Sequence, residues 1–270
     1  MIRLLRIEWL KLRNSRAFII IGGFYVLLMA LVAWGMGYVH FDVGTQNGIK
    51  TTINLGKLGF FDFPYIWKNI SYIAGFFKYI LAILVVIFIS NEYSYRTVRQ
   101  NVIDGLSRQE FITSKLLMIL MYSVVSTILV VLITTILGIL FSNNQAWDVI
   151  FLKIDFVLAY FLETLTYLIF SFFVAYLIKR TGFVIITLVL YTFVIEPIAV
   201  WQIGEPVGKF LPIQSIREMS EIPFKRYIKD IVELNIMESA DISAMFRTIV
   251  WGGVFTWLTY YLFGKRDILS

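Results

Sequence analysis

The sequence predicts an all-α membrane protein: a single transmembrane domain over 1–270, with six transmembrane helices and an N-terminal interfacial helix. Three observations carry this. The 270-residue chain is 59% hydrophobic and 16% charged, where a soluble domain carries roughly 25% charged residues. Its mean hydropathy is +0.79. Several windows with few or no charges exceed the ~18 residues that suggest a bilayer-spanning helix. Cysteine is absent, which excludes disulfides and thiolate metal sites. The formal charge of +6 would hint at nucleic acid in a soluble protein. Here it reads as excess Lys and Arg on cytoplasmic flanks, with the lipid bilayer as partner and no nucleic acid.

In residues 1–16, Ile2, Leu5, Trp9 and Leu12 fall on one helical face, with Arg3, Arg6 and Arg13 beside it. That pattern suits a helix lying in the inner headgroup layer; a plain basic flank before the first span is the alternative. A cleavable signal peptide is not expected, because the apolar run is too long and 35–39 offers no small-x-small site. The spans are expected at about 17–38, 72–90, 116–141, 151–178, 183–203 and 244–263. Lys78 falls near the outer end of the second, where it could snorkel to the headgroups. The fourth contains Asp155 and Glu163, and the sixth begins with Arg247.

Orientation follows from the alternating flanks. One set holds thirteen of the 24 Lys and Arg and five of the 18 Asp and Glu. It is therefore strongly positive, while the rest of the chain holds more acids than bases. The positive side is expected to be cytoplasmic, with both termini inside, in a bacterial cytoplasmic membrane.

Between spans two and three lies a charged, helix-patterned segment, 91–115. Glu92 and Arg96 stand four apart in the favourable acid-before-base order. Gly105 can end that helix in a left-handed conformation. Ser107 and Glu110 then form a capping box that opens the next helix. A short helix held at the membrane surface by two spans is a device for receiving a push from a soluble partner.

Three segments are expected outside. The first, 40–71, is dense in aromatics (Phe60, Phe61, Phe63, Tyr65, Trp67) and is expected to rest on the outer leaflet. The second, 142–150, is a turn. The third, 204–243, contains an amphipathic pattern at Phe224, Tyr227, Ile228, Ile231 and Val232, giving a helical outer segment. Pro197, Pro206 and Pro212 should break the fifth helix and let the chain dip back into the leaflet. Such backbone is tolerated only when shielded by protein or facing water. No internal repeat is evident.

No ATP-binding loop is present. The Gly-Lys pairs at 56–57, 208–209 and 264–265 are followed by Leu58, Phe210 and Arg266, where a phosphate loop needs Ser or Thr. His40 is the sole histidine, and no serine has a plausible base beside it. The chain is expected to be no enzyme and to carry no cofactor or metal of its own. The remaining polar candidates are intramembrane carboxylates. Glu163 has Tyr167 nearby, and Glu196 has Tyr191 nearby. A charge at such depth costs on the order of 2.5–3.5 kcal/mol on insertion scales. These four residues either line a translocation path, the carboxylates facing a cavity or binding a cation or an amine on the substrate, or serve structure, the carboxylates pairing with tyrosine hydroxyls, Lys78 or Lys153. Glycines at 22, 23, 35, 37, 138, 252 and 253 are expected to allow close helix approach.

The layout, and above all Glu92, Arg96-Thr97 and Gly105-Leu106-Ser107-Arg108 followed by Phe111 and Lys115, resembles the ABC-2 type transporter permeases. Arg96 departs from the glycine common there. The resemblance implies a permease subunit of an ABC exporter, with a cytoplasmic coupling helix that docks a separate ATP-binding subunit, two copies per complex. Glu92, Arg96, Thr97, Arg99, Asp104 and Arg108 are the implied contact residues. ATP and Mg would be bound by that partner, and a second permease chain would complete a homo- or heterodimer working by alternating access. Two other readings stay open: a self-contained secondary transporter or channel using Glu163 and Glu196, and a membrane scaffold of a motility or secretion complex. The aromatic-rich spans suit an amphiphile, lipid or hydrophobic peptide better than a sugar.

Overall fold

A computed structural model describes residues 2–36, 40–44, 50–54, 59–95, 107–143, 146–223 and 237–265. Helix α1 (Ile2–Arg13) is followed after a tight turn by α2 (Arg16–Gly35), whose first turn is capped by Ser15 accepting from Phe18 N. An antiparallel hairpin follows, β1 (His40–Gly44) with β2 (Lys50–Asn54), in the register His40 opposite Asn54. Next come α3 (Ile66–Gly75) and α4 (Lys78–Ser94), separated by a turn at Phe76 and Phe77. Helix α5 (Arg108–Phe141) has 34 residues, or roughly 51 Å at 1.5 Å per residue. That exceeds a ~30 Å hydrocarbon layer by about 21 Å, or roughly four turns, so the helix is longer than an upright span requires. The expected capping box is what starts it: Glu110 N donates to Ser107 Oγ and Ser107 N to Glu110 Oε2 at 2.8 Å.

A one-turn helix, α6 (Trp147–Ile150), leads into α7 (Asp155–Ile178). Helix α7 is the mast of the bundle and packs against α3, α4, α5, α8 and α12. Its neighbour α8 (Thr181–Leu190) continues through a π turn at Tyr191–Ile195 into α9 (Glu196–Ile203). Pro197 therefore does not break the fifth helix as expected. Proline removes one backbone donor and crowds the carbonyl four residues back, and widening to a π turn absorbs both effects. The break falls instead at Gly204, whose φ of 85° suits glycine. Beyond it, α10 (Glu205–Gly208) and α11 (Pro212–Arg217) fold back: a Cβ on Gly208 would touch Val200 at 3.0 Å. The last helix is α12 (Ile242–Lys265).

Among the described residues, five helical stretches are long and apolar enough to cross a membrane: Arg16–Gly35, Ile66–Ser94, Gln109–Phe141, Trp147–Ile178 and Thr181–Ile203. Helix α12 has the length but is more polar, carrying Arg247 and several Thr, Tyr and Trp. Burial separates inner from peripheral helices. In α3–α4, 67% of the apolar window is buried, against 17% in α2. Exposed Ile19, Ile20, Leu27 and Leu31 on α2, with Phe183, Ile186 and Val189 on α8, form an apolar exterior that water would not tolerate.

Two expectations are corrected. The aromatic run after the hairpin does not lie on a leaflet. Phe60, Phe61, Phe63 and Trp67 are buried and plug the end of the bundle. Trp67 Nε1 donates to Ile150 O at 2.6 Å, and Asn69 Nδ2 to Phe60 O at 2.8 Å. Gly138 on α5 is what admits the plug, since a Cβ there would run into the Phe63 ring. Of the other span glycines, Gly252 meets Thr166, while Gly22, Gly23, Gly35 and Gly253 face open space; Gly37 lies outside the described residues. The second correction concerns α1. Its buried stripe is Leu4, Glu8 and Leu12, and Trp9 is 46% exposed. The helix is rotated from the expected face because Glu8 is drawn inward by the charges described next. The amphipathic pattern at 224–232 lies outside the described residues.

Candidate functional site

Two ionic sites stand at different depths. The first joins α1 to the facing ends of α4 and α5, at the end of the bundle where the basic flanks gather. Lys115 Nζ, 1% exposed, donates to both carboxylate oxygens of Glu8 at 2.9 and 2.8 Å and to Glu92 Oε1 at 2.6 Å. Lys11 Nζ reaches Glu92 Oε1 at 3.1 Å and Glu8 Oε1 at 3.8 Å. Ser114 Oγ donates to Glu8 Oε1 at 3.1 Å. Two acids and two bases thus cancel in a buried cluster whose hydrogen bonds are charge-assisted, the arrangement in which buried ions are tolerated. Phe111, under the Lys115 ammonium, stacks on Phe263 of α12.

The cluster brackets the segment expected to dock a partner. Glu92 is two residues before the end of α4 and Lys115 two turns into α5. Both flanks are thereby fastened to α1. In the structure Glu92 bonds Lys11 and Lys115, and the expected pairing of Glu92 with Arg96 or Arg99 falls on residues outside those described. Arg96, Thr97, Arg99 and Asp104 lie outside the described residues. Arg108 begins α5, but its side chain is likewise outside them.

The second site lies midway along the bundle. Lys78 was expected to snorkel. Lys78 opens α4 directly after α3, and the apolar stretch already begins at Ile66, so Lys78 lies inside that stretch rather than at its outer end. There it is buried and ion-paired to Glu163 of α7. Its ammonium lies over Tyr79 at 4.8 Å and Tyr167 at 5.7 Å, which adds cation–π attraction. Gly75 leaves room for the carboxylate, since a Cβ would sit 3.0 Å from Glu163 Oε1. The pair forms one wall of a cavity of about 600 Å³ between α3–α4, α7, the π turn and the segments around α11 and before α12. That volume falls within the usual range for ligand sites, roughly 300–1,000 Å³.

The four path candidates separate. Glu163 lines the cavity. Tyr167 lies behind it, its hydroxyl 3.2 Å from Thr192 Oγ1. Tyr191 packs on Phe170 and hydrogen-bonds Glu196, one of the tyrosine–carboxylate pairings expected. Glu196 is buried away from the cavity and accepts from Gln214 N at 2.6 Å, holding the start of α11. Sequence reasoning missed Arg217, whose Nη2 donates to Thr192 O at 2.6 Å in the π turn, where the altered ladder frees a carbonyl. It also missed the far-end ties. Lys68 bonds Glu221 at 2.6 Å, Lys153 bonds Glu238 at 2.6 Å, and Arg247 bonds Glu218 at 2.6 Å. The hydrogen bond from Lys153 holds the Glu238 carboxyl below the usual carboxylate range. Among the described residues no group of acids and histidine is arranged to hold a metal ion.

A profile of the ABC-2 family transporter proteins matches residues 4–195, more than two thirds of the chain and a stretch that includes α1, both flanks of the cluster and the Lys78–Glu163 pair. No curated protein matches the chain.

Proposed function

Because the chain belongs to the ABC-2 family of transporters and is a multi-pass membrane permease, we propose that it is the transmembrane subunit of an ATP-driven exporter, powered by a separate ATP-binding subunit. The family's permeases normally work with such a subunit, and this sequence holds no phosphate loop of its own. In this reading α12 is a sixth span. Both termini and the basic flanks face the cytoplasm of a bacterial cell. Two permease chains and two ATP-binding subunits complete the machine, and ATP with Mg is bound in those partners.

The observation that carries the reading is the buried cluster Glu8–Lys11–Glu92–Lys115. A push delivered to the segment between Glu92 and Lys115 moves two helix ends that are locked to α1 and, through Phe111 and Phe263, to α12. Helix α7 touches most of the bundle, so a tilt at that end reaches the cavity around Glu163. Alternating access would follow as the paired permeases rock between states. The carboxylates suit a proton or ion carrier less well. Glu163 is neutralised by Lys78, and Glu196 is committed to the backbone of α11.

The test reverses charge in the docking segment. Arg99→Glu or Arg108→Glu should lower co-purification of the ATP-binding subunit, or ATP-dependent transport, at least tenfold while membrane insertion stays normal. Unchanged co-purification and unchanged transport in both variants would refute the docking assignment.

A further inference from the structure

Helix α1 carries charge on two faces, and only one of them is satisfied within the chain. On the inward face Glu8 is shared by Lys115 and Lys11, with Leu4 and Leu12 buried beside it. The outward face differs. Residues 1–16 hold five bases, Arg3, Arg6, Lys11, Arg13 and Arg16, against one acid, the buried Glu8. Lys11 is taken by the cluster, and Arg3 acts electrostatically on the exposed Glu110 at the start of α5. Arg6, Arg13 and Arg16 are exposed, and among the described residues no carboxylate forms an ion pair with them. Arg6 and Arg13 stand seven residues apart, two helical turns, and so share one side of α1.

The depth of that side follows from α2. Its apolar stretch begins at Arg16, and a base at the first residue of a span stands among the headgroups. Trp9 belongs to the same level: its ring centroid is 6.4 Å from that of Phe18, in the first turn of α2. Trp9 is nonetheless 46% exposed, and Leu10, which falls between Arg6 and Arg13 on the helix surface, is 52% exposed. Exposed tryptophan and leucine interleaved with arginine suit the boundary between hydrocarbon and charge.

We propose that the outward face of α1 binds anionic phospholipids and thereby steadies the ionic cluster on its inward face. Arg6, Arg13 and Arg16 meet the headgroups, while Trp9 and Leu10 enter the acyl boundary. The guanidinium fork matches phosphate oxygens. A zwitterionic lipid offers the same phosphate but cancels it with an ammonium, whereas a net negative surface attracts each base within a Debye length. Because α1 is a single twelve-residue helix, lipid that immobilises Arg6 and Arg13 also immobilises Glu8. Through Lys115 the charge of one leaflet then bears on the flanks of segment 91–115. The lipid contact requires only that α2 cross a bilayer; the use of a steadied cluster in coupling rests on the exporter reading.

The contact can be measured on the purified full chain in phosphatidylcholine nanodiscs, with no ATPase present. The discs are doped with phosphatidylglycerol or phosphatidylcholine brominated in the acyl chains. Bromine quenches a nearby indole, and subtracting the Trp9→Phe variant isolates Trp9. Quenching by the anionic lipid should exceed that by the zwitterionic one at least about threefold at low salt. The ratio should approach one near about 1 M salt, where screening acts within ~3 Å. The triple variant Arg6→Gln, Arg13→Gln, Arg16→Gln should abolish the preference, and lysine at the same three positions should keep most of it. Removing three bases elsewhere, Lys179→Gln, Arg180→Gln and Lys265→Gln, should leave it intact, which separates a local site from net charge. Amide exchange across residues 4–12 should slow about threefold in the anionic discs. Equal quenching by the two lipids, indifference to salt, or equal loss in the remote triple variant overturns the proposal. So does shielding of Trp9 that appears only when an ATP-binding subunit is added, which would assign the face to a protein. A lipid preference without slowed exchange overturns the link to the cluster. Intact lipid preference in a chain with no ATP-dependent transport would sink the exporter reading and leave this one standing.

Discussion

The two lysine–glutamate sites of this chain use the same chemistry to opposite ends. At the basic end, Lys115 is sealed between two carboxylates and joins three helices. Midway along the bundle, Lys78 meets one carboxylate, joins two helices, and has a cavity beside it. The first arrangement encloses Lys115 among its partners and ties its helices together. The second places charge where a guest can reach it. What separates a strut from a site here is the space beside the ion pair rather than the pair itself.

The largest effect should come from the sealed cluster. Lys115→Met takes from Glu8 and Glu92 the buried ammonium they share, while Lys11 is 33% exposed on its side chain and already engaged. Removing one partner of a buried ionic group costs about 3–5 kcal/mol. Thermal unfolding in nanodiscs should show a large loss of stability, and a midpoint unchanged from the native chain would contradict the strut. The mid-bundle pair should behave differently. Lys78→Met alone should destabilise, while the double variant Lys78→Met, Glu163→Leu should recover most of the loss, since apolar replacements of a whole buried pair are often neutral. Failure of the double variant to recover would mean that the pair does more than neutralise itself.

A smaller effect is expected at the aromatic plug. Gly138→Ala must displace the Phe63 ring, an overpacking cost of about 1–3 kcal/mol, readable as a lowered unfolding midpoint. The smallest lies at Glu238, 65% exposed on its side chain. Its carboxyl is held below the usual range by Lys153. Its contribution is therefore present above the ordinary carboxylate pKa and fades as pH falls through the depressed folded value. Glu238→Gln should remove that slight acid sensitivity. Solvent screening keeps it small, and an enlarged acid sensitivity in the variant would contradict the sign.

Much of the architecture was legible because hydropathy reports membrane helices directly, and the Ser107–Glu110 capping box is a local signal that needs no tertiary knowledge. The errors arose where long-range contacts decide. Phe60, Phe61 and Phe63 have the composition of an interfacial belt, and only Gly138 opposite makes them a plug. Pro197 reads as a break unless the helix can widen, and the brace from Arg217 lies twenty residues away. Lys78 looked peripheral because the span was started at 72, past Lys68 and Asn69, which are both buried and hydrogen-bonded within the bundle. One signal was available and unused. Leu4, Glu8 and Leu12 repeat every four residues, so an acid sat on a potential buried stripe and asked for a base. The ABC-2 resemblance rested on residues around 92–115, and the family match spans 4–195.

The central claim is that the stretch clamped between Glu92 and Lys115 is gripped by an ATP-hydrolysing partner. A photo-crosslinking amino acid at position 99, activated in native membranes, tests it most directly. The account predicts a covalent adduct with a nucleotide-binding subunit that disappears when Lys115→Met loosens the clamp. Adducts only with proteins of the opposite membrane face, or robust ATP-dependent transport with no adduct at all, would contradict it.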